Sequence, residues 1–198
     1  MHWPVGTGSE TKKTHFDYVE TWRAMIALPK SKVTNIGISN FAPSQLQKII
    51  SKTGIKPFAH QMELHPYLQQ SSWVATHKAL GISLTAYSPL GNTNPTYGHD
   101  KKDAPPPLLK NDALVDIARA RNCTTAQVSL AWGMGRGISV IPKSSHPDHI
   151  LGNLHADDCV LTYLDLKRLR LEGRKYLTRF NNPSDKWGVS LFEGLDGV

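Results

Sequence analysis

The pattern that decides the fold lies in residues 33–40, which read Val33-Thr34-Asn35-Ile36-Gly37-Ile38-Ser39-Asn40. An apolar stretch of strand-forming residues ends there in two polar side chains. A stretch with helical spacing follows over 43–51, and Gly54 stops it. Short apolar runs between turn signals are typical of buried strands, and glycine is typical of the position just after a helix. The pattern therefore predicts a strand, a polar turn and a helix.

The same strand–helix unit, roughly 30 residues long, recurs along the chain. The predicted strands are 33–38, 58–64, 82–87 and 138–141. The predicted helices are 18–28, 43–51, 72–80, 112–121, 125–134, 146–154 and 165–172. Strands joined through helices run parallel, and strands that are apolar on both faces are buried. Residues 91–107 are rich in Gly, Pro and Asn and predict a long loop over a site.

Polar side chains recur at the predicted strand ends, and their positions discriminate between two folds. They are Ser39 and Asn40, Glu63 with His65, Tyr87 and Ser88, and Lys143 and Ser144. An open doubly wound sheet and a (β/α) barrel both fit the alternation of strands and helices. No Gly-x-Gly-x-x-Gly follows a strand, which removes the main support for the open sheet. Barrel enzymes keep their chemistry at the carboxyl ends of the strands, so the pattern favours an α/β barrel.

Composition limits the class of protein. The chain has 198 residues, 39% of them hydrophobic and 20% charged, which is ordinary for a globular protein. This length suits one large domain or at most two small ones, and we expect a single domain over 1–198. Two cysteines, Cys123 and Cys159, are too few for a disulfide-rich scaffold and fit a reducing compartment. No run approaches the roughly 20 apolar residues of a membrane span, and the start lacks the pattern of a secretory signal. We therefore expect a cytoplasmic protein without membrane contact.

The formal net charge is +7, and the densest basic stretch covers 167–179. Leucines interleave with these charges as on a solvated helix face. No nucleic-acid-binding motif accompanies the charge, so we expect no nucleic-acid partner. No Cys-x-x-Cys, helical His-x-x-x-His or Gly-x-Ser-x-Gly occurs, and we expect neither a metal site nor a hydrolase.

Six motifs occur in order along nearly the whole chain. They are His2-Trp3-Pro4, Thr21-Trp22-Arg23-Ala24-Met25, Ile36-Gly37-Ile38-Ser39-Asn40-Phe41, Gln61-Met62-Glu63-Leu64-His65-Pro66-Tyr67, Ala86-Tyr87-Ser88-Pro89-Leu90-Gly91 and Val140-Ile141-Pro142-Lys143-Ser144. With these motifs the chain resembles the aldo-keto reductases. The ending around 179–181 and 187–188 is similar to the tail of fungal members.

The resemblance implies an NADPH-dependent reductase that converts an aldehyde or ketone to an alcohol, with NADH as the second cofactor. Members of the family are complete eight-stranded TIM barrels in which the His-Trp-Pro motif ends the fourth strand. The resemblance therefore implies a partial (β/α)8 barrel here, strands four to eight, in a truncated domain. The catalytic Asp, Tyr and Lys of the family match no position of this sequence.

Three alternatives follow from this mismatch. The first is an impaired reductase acting on a small carbonyl substrate. The second is a non-catalytic, truncated relative that keeps part of the NADP-binding surface, and the third is a basic interaction module. Because an incomplete barrel leaves strand edges unpaired, we also expect self-association through the open edges.

At the reacting end, the resemblance matches two residues of the first motif. His2 matches the catalytic histidine, which hydrogen-bonds and orients the substrate carbonyl; the alternative is a disordered terminal residue. Trp3 matches a residue that lines the substrate pocket. In a chain that begins at Met1, we expect the Trp3 ring to be frayed or exposed.

At the nicotinamide end, Ser39, Asn40 and Gln61 match the residues that hydrogen-bond the carboxamide. The alternative for Ser39 and Asn40 is the N-cap of the helix that begins at Pro43. Tyr87 matches the aromatic residue that stacks on the nicotinamide ring, and its alternative is a core tyrosine.

The rest of the cofactor has its own matches. Ser88 and Leu90 would contact the pyrophosphate, and Asn92 occupies a position where the family often has a small polar residue. Further matches bind the adenosine end: Lys143 and Ser144 at the 2′-phosphate, His149 where the family has an arginine, and Asn153 at the adenine. Since histidine replaces that arginine, and Gly152 replaces an acidic residue, the resemblance implies a weakened preference for NADP over NAD.

Overall fold

The computed structural model describes residues 1–5, 17–91 and 104–195. They form two compact units. The first contains the described residues of Met1–Met62, Ser71–Leu84 and Pro183–Asp196, and the second contains those of Glu63–Gln70 and Thr85–Asn182. The single domain over 1–198 stays a prediction.

Helices and short strands alternate through most of the described chain. The helices are α1 (Tyr18–Ile26), α2 (Pro43–Thr53), α3 (Ser71–Leu80), α4 (Asp112–Arg121), α5 (Thr125–Met134), α6 (Pro147–Leu154), α7 (Tyr163–Lys175) and α8 (Ser184–Trp187). The strands are β1 (Gly37–Ser39), β2 (Ala59–Glu63), β3 (Ser83–Tyr87) and β4 (Ser139–Val140), and two 3₁₀ turns cover Leu108–Lys110 and Ala156–Asp158.

In the first unit, β1 and β2 pair in parallel, with Ser39 opposite Gln61. Helix α1 packs on α2. Trp22 of α1 is fully buried, and its indole N–H donates to the carbonyl of Ile55 at 3.2 Å. This pairing brings Ser39, the last residue of β1, beside Gln61 in the middle of β2.

In the second unit, β3 and β4 pair in parallel, with Ala86 opposite Val140. Helices α4, α5 and α7 enclose the core of this unit. Its buried members are Tyr67, Leu108, Leu114, Ile117, Ala118, Val128, Trp132, Cys159 and Leu169. The parallel strands confirm the predicted α/β class. In the basic stretch, Leu169 is buried while its charged neighbours on α7 are exposed, as predicted for a solvated helix face.

The predicted helices of the middle of the chain match α2 to α5 within two residues at either end, but the strands are shorter than predicted. Strand β1 has three residues, because Val33 belongs to the turn before it and donates its N–H to the Pro29 carbonyl at 3.0 Å. Helix α7 is longer than predicted, since the capping box of Thr162 starts it earlier. Helix α8 was not predicted. Most of the predicted loop over 91–107 lies outside the described residues.

The two cysteines form a disulfide, which the sequence analysis did not predict. Cys123 lies between α4 and α5, and Cys159 follows the second 3₁₀ turn, with their Cα atoms 5.8 Å apart. Their 36-residue separation in sequence concealed this proximity. The bond joins the turn before α5 to the segment after α6 within the second unit.

In the described part of the chain, none of the helices combines the length and the apolar character that a membrane crossing needs.

Candidate functional site

The backbone turns sharply where β1 ends, and this turn sets the position of Asn40. Asn40 has a left-handed backbone (φ 60°), and its N–H donates to the Gln61 carbonyl at 3.1 Å. Asparagine tolerates this conformation better than most residues, because its short polar side chain can bond locally. Ser39 and Asn40 are 7% and 2% exposed. The first unit therefore brings Ser39, Asn40 and Gln61 together.

The Asn40 amide links the turn to the start of the chain. Its Nδ2 donates to the main-chain carbonyl of His2 at 3.2 Å and to Ser39 Oγ at 3.1 Å. The alternative N-cap role for Ser39 and Asn40 is wrong, because Ala42 is the N-cap of α2 and donates its N–H to Gln45 Oε1 at 2.8 Å. The buried amide is thus held by the turn and not by the helix.

His2 and Trp3 lie beside this turn in the first unit. The His2 side chain is exposed, while its carbonyl is fixed by Asn40. The Trp3 ring is half-buried and packs edge-on against Trp187 and Phe192, with centroid distances of 5.0 and 6.1 Å. The expectation of a frayed or exposed Trp3 is therefore wrong, because the terminal segment supplies aromatic partners for it.

Two buried histidines support the turn from below. Phe41 N–H donates to His60 Nε2 at 3.1 Å, so Nε2 is unprotonated and the ring proton is on Nδ1. That proton is donated to His77 Nε2 at 2.7 Å, and His77 Nδ1–H donates to the Trp73 carbonyl at 2.7 Å. We call Phe41, His60, His77 and Trp73 the histidine chain.

Each imidazole of the histidine chain is neutral and fully used. Burial holds the pKa of His60 well below its ordinary value, and the neighbouring His77 lowers it further. Burial also lowers the pKa of His77, against an opposing effect of its hydrogen bond to Trp73. A charged imidazole at either position would lose an accepted hydrogen bond. The histidine chain therefore fixes the Phe41 backbone, next to Asn40, only while both imidazole rings stay neutral.

In the second unit, Tyr87 ends β3 and Ser88 starts a tight turn. Tyr87 is half-buried, so it is not a closed core residue, and its hydroxyl accepts a hydrogen bond from Asn181 Nδ2 at 3.1 Å. Ser88 has a left-handed backbone (φ 47°), and its carbonyl accepts the N–H of Gly91 at 2.9 Å. The turn presents main-chain groups and Leu90 to the space beside it.

A cavity of 620 Å³ opens beside this turn. Its lining includes the predicted residues Ser88, Leu90, Lys143, Ser144, His149 and Asn153. It also includes Thr124, Thr125, Ala126 and Asp148, which the sequence analysis missed. Ligand sites are commonly 300–1,000 Å³ and mostly apolar, with a few polar groups that orient the ligand. This cavity has the size and the mixed lining of such a site. Asn92 lies outside the described residues.

The polar rim of this cavity, Lys143, Ser144, His149 and Asn153, is open to water. Lys143 and His149 are exposed, and the His149 ring lies 4.6 Å from the ring of His146. Ser144 Oγ accepts the N–H of His146 at 3.1 Å and so shapes the entry to α6. An ammonium group, a hydroxyl and a helix N-terminus suit an anion such as a phosphate. The carboxylate of Asp148 opposes this attraction.

Three of the lining residues that sequence reasoning missed, Thr124, Thr125 and Ala126, lie at the start of α5. Thr124 caps α5 through its bond with Gln127, a local signal that predicts the helix start but not a cavity wall. In the described part of the chain, no group of three or more His, Cys, Asp or Glu side chains is arranged to hold a metal ion.

Comparison with known proteins identifies the family. The model of the Aldo/keto reductase family matches residues 1–170. An NADPH-dependent D-xylose reductase of the yeast Meyerozyma guilliermondii is 39% identical over 172 residues, which cover 84% of this chain and 53% of that protein. An uncharacterised oxidoreductase of Schizosaccharomyces pombe is 40% identical over 210 residues, which cover 99% of this chain and 63% of that protein. The chain thus spans between half and two thirds of the length of these two relatives.

Solved structures give the same family. An aldo-keto reductase of Bombyx mori in complex with NADP matches with a TM-score of 0.82 and 28% identity, over 97% of this chain and 61% of that one. A second aldo-keto reductase, complexed with NADPH, matches with a TM-score of 0.84 and 29% identity, over 96% of this chain and 57% of that one. The resemblance seen in the sequence is confirmed: this chain belongs to the aldo/keto reductase family.

Proposed function

We propose that this chain binds NADP(H) and serves the reduction of an aldehyde or ketone to an alcohol. The observation that carries the proposal is the 620 Å³ cavity in the second unit, where the Ser88–Gly91 turn and the rim of α6 face one space. The family supports it, as do the relatives that are NADPH-dependent by name or bound to NADP. Bound NADPH would supply the hydride for carbonyl reduction.

At the adenosine end, the rim would hold the cofactor phosphate and base. Lys143 supplies a full positive charge and Ser144 a hydroxyl for the 2′-phosphate, and Asn153 would contact the adenine. His149 stands near the phosphate where an arginine would offer a forked, permanent charge. We therefore propose a preference for NADP over NAD that is smaller than that of an arginine-bearing relative.

At the nicotinamide end, we propose roles for residues of each unit separately. In the first unit, Ser39, Asn40 and Gln61 would hydrogen-bond the carboxamide, since Ser39 and Asn40 are buried where β1 ends and Gln61 is half-buried on the paired strand β2. In the second unit, the half-buried Tyr87 ring would stack on the nicotinamide, and Ser88 and Leu90 would lie along the pyrophosphate. Asn92 stays a prediction from the family motif.

The reacting end is the weakest part of the proposed site. His2 would orient the substrate carbonyl, and Trp3 would line the substrate pocket. The resemblance matches the catalytic Asp, Tyr and Lys of the family to no position of this sequence. General acid catalysis is worth about 10²–10⁴-fold, so we expect residues 1–198 alone to reduce a reactive aromatic aldehyde slowly or not at all.

The barrel assignment is part of the same proposal. We propose that the His2-Trp3-Pro4 segment and strands β1 to β4 correspond to strands four to eight of the family barrel. The matches to solved reductases support this, because the chain covers 57–61% of each of those two structures.

The test is a titration of NADP⁺ and NAD⁺ followed by tryptophan fluorescence. Wild type should bind NADP⁺ more tightly than NAD⁺. Lys143→Met should weaken NADP⁺ about tenfold through the lost charge–phosphate contact and should change NAD⁺ less. Lys167→Met, an exposed lysine of α7, is the matched control and should leave both affinities unchanged.

Two outcomes bear on the alternatives. Binding of NADP⁺ without aldehyde reduction would favour the non-catalytic relative over the impaired reductase. A wild-type chain that binds neither dinucleotide overturns the proposed function.

A further inference from the structure

A buried carboxylate at the end of β2 fixes a segment near the end of the second unit. Glu63 is fully buried, and its Oε1 accepts the Phe180 N–H at 2.7 Å while its Oε2 accepts the Asn181 N–H at 2.8 Å. His65 Nε2 lies 2.9 Å from Oε1 as a third partner. Burial alone would raise the pKa of Glu63, but the hydrogen bond and electrostatic effect of His65, together with the hydrogen bonds from the Phe180 and Asn181 N–H groups, lower it. Glu63 is therefore an anion with well-defined partners.

Other contacts hold the same segment on either side of this carboxylate. The Thr178 N–H donates to the Tyr67 carbonyl at 3.2 Å. The Phe180 ring packs against the His65 ring at a centroid distance of 5.1 Å. Segment 178–181 thus has four contacts with residues 63–67, all within the second unit. The position of the Asn181 backbone is consequently set by the end of β2.

The Asn181 side chain reaches from this fixed segment to Tyr87. Its Nδ2 donates to Tyr87 Oη at 3.1 Å. The tilt of the half-buried Tyr87 ring is set by its two side-chain torsions. A hydrogen bond at the hydroxyl, the point farthest from the backbone, restricts that tilt most effectively.

We infer that Asn181 is a positioning residue for the nicotinamide end of the cofactor, held by Glu63 and acting through the Tyr87 hydroxyl. The inference rests on the proposed function, because it takes Tyr87 as the ring that stacks on the nicotinamide. Stacking requires the two ring planes to be parallel, and the Asn181–Tyr87 bond sets one of them before the cofactor arrives. Neither Asn181 nor Glu63 contacts the cofactor in this scheme.

Positioning of this kind has a selective signature. Loss of the Asn181–Tyr87 bond should weaken ligands that contain nicotinamide and should spare ligands that lack it. Asn181→Ala and Tyr87→Phe remove the same bond from opposite ends, so their effects should not add in the double variant. A general loosening of the second unit would instead weaken all ligands, and effects through independent routes would add.

The experiment titrates NADP⁺ and 2′,5′-ADP, which lacks the nicotinamide half, into wild type, both single variants and the double variant. Each single change should weaken NADP⁺ about 2- to 10-fold, the range of one neutral hydrogen bond, and leave 2′,5′-ADP unchanged. The double variant should be no weaker than the worse single variant. Asn153→Ala, the same substitution at the proposed adenine contact, should weaken both ligands and serves as the control.

The failures of the two proposals are distinguishable. If wild type binds neither ligand, the proposed function fails, and the inference fails with it. If wild type binds both, and the Asn181→Ala and Tyr87→Phe effects on NADP⁺ are absent, additive or equally large for 2′,5′-ADP, the positioning role of Asn181 is wrong while NADP binding stands. Glu63→Gln gives a further check, because it weakens the hold on segment 178–181 and should reproduce the loss for NADP⁺ alone.

Discussion

The turn at Asn40 and the polar rim of the cavity differ in burial and in the interactions that hold their side chains. At the turn, Ser39 and Asn40 are buried, and the histidine chain fixes the next residue through neutral hydrogen bonds. At the rim, Lys143 and His149 are exposed, and the hydrogen bond from the His146 N–H to Ser144 Oγ is local. A planar amide is recognised by direction, so its partners need fixed geometry. A phosphate is attracted by charge, which acts over distance and tolerates movement.

This difference has a practical consequence for substitutions. Changes at the turn should act mainly on folding stability, because they leave buried polar groups without partners. Changes at the rim should act mainly on ligand affinity and leave stability within about 0.5 kcal/mol. The experiments below test this separation, beginning with the largest effect.

Removal of the disulfide should have the largest effect and should run against this separation. The disulfide adjoins the cavity, yet it should contribute to the folding stability of the second unit. Cys123 adjoins Thr124 and Thr125 of the cavity wall, and Cys159 follows α6. In the chain-entropy description, a crosslink between residues 36 positions apart lowers the entropy of the unfolded chain and so raises the free energy of unfolding by about 4 kcal/mol. The double variant Cys123→Ser, Cys159→Ser should therefore lose about 4 kcal/mol of unfolding free energy, which calorimetry would record as a lower melting temperature. A native, unreduced sample in which two thiols react with Ellman's reagent would contradict the pairing.

Replacement of a histidine at the turn should have the next largest effect. His60→Leu leaves Phe41 N–H and His77 Nε2 without partners, at a cost of about 1–3 kcal/mol for each buried group. We expect a loss of about 3 kcal/mol in urea unfolding. His149→Leu at the exposed rim is the matched control and should change stability by less than about 0.5 kcal/mol. Equal losses in the two variants would remove the distinction between the regions.

The contrast between these two regions also shows how far sequence reasoning extends. Local signals were sufficient for helices α2 to α5: the Asn111 side chain accepts the N–H groups of Ala113 and Leu114 and starts α4, and Gly54 ends α2 at φ 70°. The polar residues at strand ends were also recognisable, because their motifs are local. These signals predicted the α/β class and brought most of the candidate residues into view.

Contacts between residues far apart in sequence could not be predicted in the same way. The Glu63–Asn181 contact joins residues 118 positions apart, and nothing in either neighbourhood specifies the other. The pairing of His60 with His77 depends on burial and ring orientation, which a spacing of 17 residues does not fix. The ends of the strands were predicted inaccurately for a related reason, because a strand extends only as far as it pairs with its neighbour. Such contacts determine how the candidate residues are held.

The pH dependence of stability should distinguish the buried pair His60 and His77 from the exposed pair His146 and His149. Because burial lowers the pKa of His60 and His77, the folded protein binds fewer protons than the unfolded chain. Their contribution is fully present above the ordinary imidazole pKa of about 6.5 and is lost as the pH falls below it. Denaturant unfolding should therefore show decreasing stability from pH 7.5 to 5.5.

Two double variants check the assignment of this pH effect. Replacing His60 and His77 by Gln should flatten the dependence, even though it also lowers stability. Replacing the exposed pair His146 and His149 by Gln should leave the slope unchanged. If only the second double variant flattens the slope, the buried rings are not its source.

The smallest expected effect lies at the rim. His149→Arg supplies a permanent, forked charge near the proposed phosphate position, so the ratio of NADP⁺ to NAD⁺ affinity should rise about 3- to 10-fold. Unfolding stability should stay unchanged, which sharpens the contrast with His60→Leu. The measurement is the fluorescence titration of both dinucleotides. An unchanged affinity ratio would mean that His149 does not face the phosphate.

The histidine chain also makes the Phe41 amide a natural reporter for hydrogen exchange. Its proton is donated to a ring nitrogen of a fully buried imidazole, and not to a carbonyl of a regular helix or strand. Solvent can reach this proton only when its bond to His60 Nε2 opens, so its exchange rate measures how often the backbone beside Asn40 loosens. One amide, adjacent to the proposed carboxamide ligand Asn40, thereby records how often this part of the molecule leaves its ordered state.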